Sequence, residues 1–245
     1  MPMQLGASIF SPGRWQLGRL AMFAAWRDEA AIEEFLEGTP LGRTLAEGWH
    51  VRLRFLRRWG LIRELDGLPA VAGETCLDAP VVAVTLARLK LLQAPRFIRW
   101  GKPVERLVRD HPGTTLALAA ARPMRTLCTF SVWRSAREMA NMVHGRGSSP
   151  GANRHAVAMA ERGRKSFHTE FTTLRFASIG EYGAWEGGRG FVSAPELAPP
   201  PPGGWVRLGP ATLRRSSRGY GAAARSLPRT VSSTASTSDC STFWR

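Results

Sequence analysis

One pattern occurs twice in this chain and constrains its fold more than anything else. The stretch that opens Leu127-Cys128-Thr129-Phe130-Ser131-Val132-Trp133-Arg134 and closes Phe167-His168-Thr169-Glu170-Phe171-Thr172-Thr173-Leu174-Arg175-Phe176 reads as strand, helix, strand. A shorter version stands a hundred residues earlier: Ala21-Met22-Phe23-Ala24-Ala25-Trp26-Arg27 leads through Ala30 to Phe35 into Trp49-His50-Val51-Arg52-Leu53-Arg54-Phe55. Superposing the copies sets Phe23 on Phe130, Trp26 on Trp133, Ile32 on Met139, Phe35 on Met142 and Trp49-His50 on Phe167-His168. The repeat predicts a duplicated α+β unit whose two Trp residues occupy equivalent settings.

Taken in order, residues 4–10 give at most a brief strand, and 18–26 have the apolar character of a buried one. Asp28 can cap a helix to Leu36, because its carboxylate accepts an orphan backbone N–H, and a second helical piece follows from Pro40 to Glu47. Residues 49–56 alternate Trp49, Val51, Leu53 and Phe55 with His50, Arg52 and Arg54, the period of a strand with one wet face. Residues 61–80 carry Gly67, Pro69, Gly73 and Pro80 and read as a linker. A complete unit then begins: strand 81–90, helix 95–110, strand 114–121, strand 127–133, helix from a Ser135 cap that loosens at 145–151 and resumes over 152–162, and strand 167–179. That is β-α-β-β-α-β, the ferredoxin-like order. The expected domains are an incomplete repeat over 1–60, the linker 61–80, a complete repeat over 81–190, and a tail over 191–245. The tail's Pro199–Pro202 run, its Arg-rich segments and its Ser/Thr run lack apolar periodicity and predict disorder.

Composition excludes several classes. No apolar run is long enough for a spanning helix, and the first residues lack the basic start and apolar core of a secretion signal, so a cytoplasmic location is expected. Cys76, Cys128 and Cys240 form no Cys-x-x-Cys pair, which disfavours a disulfide framework, structural zinc or an iron–sulfur cluster. The net charge of +15 raises the question of an anionic partner; however, seven Arg against the single Asp239 place +6 of it between Pro199 and Arg245. No specific nucleic-acid partner is expected, and the aromatic RNP1 pattern is missing. The Gly-rich segments are too short for a phosphate loop, and no nucleophile elbow is present.

Residues 23–31, 48–54, 129–135, Glu170 with Leu174-Arg175-Phe176, and Gly183-Ala184-Trp185-Glu186-Gly187 together resemble the spheroidene monooxygenase family and its bacterial relatives. The likeness covers most of residues 6–190. It implies tandem ferredoxin-like repeats of the dimeric α+β barrel type, paired within one chain, with a homodimer left open. It also implies haem-dependent oxygenation of an apolar isoprenoid or carotenoid-type substrate, with an electron-donor protein as partner. Three departures stand out: the opening strand and helix of the first repeat are missing, a Gly-rich break interrupts the second helix at 145–151, and His168 sits where an aromatic is usual.

On that resemblance His155, in the second helix, is the candidate metal and haem ligand; neutral imidazole is a good donor to iron. Arg134 and Arg175 are candidates for pairing haem propionates or an acidic substrate through bidentate contacts, set against solvated charges. Phe130, Trp133, Phe171 and Phe176 are the candidate substrate pocket, set against plain core. His50 and His168 read as sheet residues and His111 as a helix-end residue. No catalytic residue is assigned. The alternatives from other classes are a non-catalytic or RNA-binding ferredoxin-like module and a decayed, non-functional paralogue.

Overall fold

The computed structural model describes residues 1–6, 10, 15–122, 126–147 and 151–192. Strands β1 (Pro2–Gly6) and β2 (Trp15–Met22) are followed by helices α1 (Glu29–Gly38) and α2 (Pro40–Glu47) and strand β3 (His50–Leu61). The second half holds β4 (Val81–Leu89), α3 (Ala94–Arg109), β5 (Thr114–Arg122), β6 (Thr126–Trp133), α4 (Ala136–Val143), α5 (Arg154–Arg164) and β7 (His168–Tyr182). All strands join one antiparallel sheet in the order β2-β1-β5-β6-β4-β7-β3. Within it, β5-β6-β4-β7 is the ferredoxin-like arrangement, and β1, β2 and β3 flank it as an incomplete second copy. The fold is α+β, a tandem of ferredoxin-like repeats with the first one short of a strand and a helix.

The sheet cannot be flat. Phe23, just beyond β2, lies 5.9 Å from Phe176 on β7, although five strand spacings of roughly 4.8 Å separate those strands along the ladder. Phe55 on β3 meets the same ring at 5.7 Å. Phe55 is the cross-strand partner of Phe176, so it is the β1–β2 border that curls over towards β7 and covers an apolar interior. Val82, Val84 and Leu86 of β4 and Leu174 of β7 are 0% exposed there and pack with Met3, Cys128, Val132 and Phe176. Burial in this interior pushes the Cys128 thiol up to about 12, so it behaves as a hydrophobe.

One end of the enclosure is closed by the chain after β7. Gly183 takes φ +73°, and a Cβ there would stand 2.6 Å from the Gly48 carbonyl oxygen, so this reversal requires glycine. The Glu181 carboxylate accepts from Trp49 Nε1 at 2.9 Å, from the Gly190 amide at 3.1 Å and from the Val192 amide at 2.9 Å. This clasp sets Trp185 and Phe191 against the Trp49 ring. Val192 is buried, which carries the packed chain past residue 190; the disorder expected for the tail otherwise falls on 193–245, outside the described residues.

Several boundaries differ from the sequence reading. The strand expected over 18–26 ends at Met22, because β2 has one neighbour and nothing but the Phe23–Met1 backbone pair extends its ladder. Consequently Trp26 lies outside any strand and is 38% exposed, whereas Trp133 ends β6 and is 1% exposed. The expected equivalence of the two Trp residues is not met; the repeat survives in strand order and capping. The segment read as a linker also contributes to the core: Ile62 and Leu65 are buried. Further on, Arg58 donates its amide to the Ala70 carbonyl at 2.9 Å, and the Ala72 and Gly73 amides reach Leu56 O at 2.8 and 3.1 Å. Residues 70–73 thus run along the outer edge of β3.

Candidate functional site

Side chains alternate across a strand, so each strand of the central sheet shows one set to the curled interior and another to the helices. On β4 the helix side carries Val81, Ala83, Thr85 and Ala87; Val81 and Ala83 pack with Trp133, Met139, Met142, Leu107 and Val108. Cross-strand register extends this surface in rows. Ser131, Ala83, Arg175 and Arg57 lie side by side, next to them Thr129, Thr85, Thr173 and Trp59, and then Leu127, Ala87, Phe171 and Leu61. The middle of this floor is small and hydroxylated, and Thr85 Oγ1 and Thr173 Oγ1 are 3.4 Å apart.

Although β4 and β6 are inner strands, Ala83, Thr85, Thr129, Ser131 and Thr173 all remain partly exposed. Small side chains that stay accessible beneath a helix layer mean that the helices do not seat fully on this part of the sheet. Aromatic rings bound this floor. Trp133 stands at one end, its Nε1 donating to Ser131 Oγ at 3.0 Å. Phe171 stands at the other, under the Arg162 guanidinium at 3.8 Å. On α5, His155, Ala158 and Arg162 recur at helical spacing and share one face, and Ala158 is buried. Arg162 reaches Phe171 on β7, so this face looks at the sheet. Arg96 and Arg164 both pair with Glu161, at 2.5 and 2.7 Å, which ties α5 to α3 and holds that carboxyl down at about 2.

His155 Nδ1 lies 3.1 Å from the Val143 carbonyl oxygen. A carbonyl only accepts, so Nδ1 carries the hydrogen and Nε2 keeps its lone pair, the state in which imidazole serves as an axial donor. Burial lowers its basicity further, against the opposing pull of the Val143 bond. Arg175 is 8% exposed and its Nε has no hydrogen-bond partner; burial, with Arg57 beside it, brings its pKa down to about 10. Among the described residues no group of three or more His, Cys, Asp or Glu side chains is placed to hold a metal ion. His155 offers a single imidazole donor and Arg175 a single buried cation.

The structure thus divides the residues singled out from sequence. His155, Arg175, Trp133 and Phe171 border the helix side. Phe130 and Phe176 face the curled interior, where Phe130 meets Trp49 at 6.0 Å, and that interior is filled core. Arg134 is exposed beyond the end of β6, its amide bonded to Gly113 O. Arg134 and Arg175 stand two strands across and about three residues along from each other, a separation of roughly 14 Å by strand geometry. They form no common clamp.

His168 departs from its reading as an ordinary sheet residue. It is 6% exposed, neither ring nitrogen has a partner, and it is walled by Phe97, Phe167 and Phe171. Burial, with Arg162 and Lys90 nearby, lowers it to about 4. His50 instead stacks on Tyr182 at 4.9 Å, and His111 Nδ1 accepts from the Gly113 amide. The sequence reading missed Glu181, Arg57 and Trp59; the long Gly-rich segment after β7 was the one local hint of the Glu181 clasp.

Comparison with known proteins agrees with the resemblance read from sequence. The chain is 26% identical over 192 residues to the spheroidene monooxygenase of Cereibacter sphaeroides, covering 74% of this chain and 57% of that protein. It is 26% identical over 174 residues to the spheroidene monooxygenase of Rubrivivax gelatinosus, covering 70% of this chain and 64% of that one. The chain is similar to spheroidene monooxygenases. It spans less than two thirds of the length of either. No family model matches it. Among solved structures, a putative monooxygenase from Fusobacterium nucleatum overlaps 54% of this chain and 52% of its own, at 10% identity and a TM-score of 0.36. A ferredoxin-fold protein from Listeria monocytogenes related to antibiotic biosynthesis monooxygenases overlaps 71% and 79%, at 12% identity and a TM-score of 0.28. Superpositions this loose add nothing to the fold described above. Among the described residues no helix is long and apolar enough to cross a membrane.

Proposed function

We propose that the protein is a monooxygenase-like oxidoreductase that binds haem through His155 of α5 and acts on an apolar, isoprenoid or carotenoid-type molecule. The observation that carries this reading is His155 on α5, whose Nδ1 is held by the Val143 carbonyl oxygen at 3.1 Å so that Nε2 keeps its lone pair. The similarity to spheroidene monooxygenases supplies the reaction class. Haem, when bound, supplies the dioxygen chemistry, with electrons from a donor protein. The chain supplies the rest. His155 is held in one tautomer by the Val143 carbonyl, so its ligating nitrogen is set before any cofactor arrives. Arg175 meets a carboxylate at one side of the floor, and Trp133 and Phe171 give the apolar ends that a hydrocarbon needs to displace water.

The test is haem titration of the purified full chain. A Soret band that saturates near one haem per chain and disappears in His155→Ala, while Arg134→Ala binds as the wild type does, is the expected result. Absence of a saturable band in the wild-type chain would overturn the proposal.

A further inference from the structure

Arg57 on β3 and Arg175 on β7 are direct cross-strand partners. Directly opposite residues in an antiparallel pair hold their Cβ atoms about 5 Å apart, and like charges so placed repel. Here the two guanidinium groups also converge on one ring: Arg57 Cζ lies 5.0 Å and Arg175 Cζ 4.8 Å from the centroid of Trp59. Arg175 is more than nine-tenths buried with Nε unpartnered, and neither arginine is in a salt bridge among the described residues.

A buried cation is ordinarily neutralised by a carboxylate. Arg52, also largely buried, follows that rule by holding Glu29 at 2.9 Å and Glu33 at 2.7 Å, and Arg88 pairs with Glu64 and Glu170. Arg162 shares with Arg175 an unpartnered Nε and a ring contact, but only Arg175 has a second arginine as its cross-strand partner. Stacking on an indole offsets part of the cost of one cation, but leaves the repulsion between two. An anion placed between them removes both penalties.

We infer that Arg57, Arg175 and Trp59 form an oxyanion-binding site at the β3 border of the floor, built for a phosphate or carboxylate group. The planar guanidinium forks suit an acceptor with two or more oxygens. The Trp59 ring, partly exposed, gives the site an apolar wall, so the oxyanion can be the end of a larger molecule. The site stands on its own geometry; it bears on the haem proposal only in that a cofactor carboxylate is one source of the anion and free phosphate the other.

The experiment is isothermal titration of the haem-free full chain with inorganic phosphate against a chloride control of equal ionic strength, repeated on Arg57→Gln and Arg175→Met. The expected result is saturable binding of phosphate beyond the control, weakened about tenfold in Arg57→Gln, the scale of one lost charge-assisted bond, and lost in Arg175→Met. Arg57 is on a border strand, so its variant reports on binding even if Arg175→Met folds poorly. Unchanged affinity in Arg57→Gln, or no phosphate binding beyond chloride in the wild type, overturns the inference. Repeating the titration on chain that has taken up haem separates the sources: binding that persists assigns the site to a free oxyanion, and binding that vanishes assigns it to the cofactor's own carboxylate. A failure of haem to bind leaves the phosphate result standing.

Discussion

The two halves of this protein begin their helices in the same way and end up in different surroundings. In the first half the Ala31 amide donates to Asp28 Oδ1 at 2.8 Å; in the second the Glu138 amide donates to Ser135 Oγ at 3.2 Å. Each cap follows a Trp by two residues. Beyond that the halves diverge: α1 buries none of its residues, whereas α4 buries Ala136, Met139 and Met142. Ile32 and Phe35, the counterparts of the two Met residues, stay partly exposed. Local signals are thus enough to shape an element, but burial needs a neighbouring strand and helix, which the first half lacks among the described residues.

The difference should be largest at the two Trp residues. Trp133→Ala is expected to cost about 3–5 kcal/mol, as for a fully buried aromatic, and Trp26→Ala less than about 1 kcal/mol. Urea unfolding followed by circular dichroism measures both, and equal costs would break the comparison. Next in size is the acid sensitivity of His168. Its folded pKa of about 4 lies below the ordinary value of 6.5, so between those pH values the unfolded chain holds more protons and stability rises with pH. The contribution is fully present above pH 6.5 and is lost as pH falls towards 4, by up to about 3 kcal/mol. Replacing the residue, His168→Phe, should flatten that limb of the stability profile; a limb that is unchanged would mean the ring is not held neutral. Smallest, and the sharpest control, are the caps. Asp28→Ala and Ser135→Ala should each cost about 1 kcal/mol in thermal unfolding, and a free Asp28→Ala would show that α1 contributes nothing to the folded state.

How far the fold was legible in the sequence follows from the same contrast. The order of β4 to β7 could be read because each strand carries its own apolar pattern and its own turn residues. The end of β2 could not, because it depends on a neighbour that the local sequence does not announce. The division of the aromatic residues was readable and was overlooked: Phe130 and Trp133 are three apart on one strand, Phe171 and Phe176 five apart on another, and odd separations put side chains on opposite faces. His155 could be placed on its helix from sequence, though its bond to Val143 could not. The pairing of Arg57 with Arg175 required the register of two strands more than a hundred residues apart, which no local pattern encodes.

The stretch that runs along β3 does more than connect the halves. By giving Arg58 and Leu56 backbone partners, residues 70–73 occupy a border where a neighbouring molecule's strand would otherwise dock. Trimming them would therefore strip the Leu56 and Arg58 backbone groups of their partners and leave that border open to pairing with a strand of another chain.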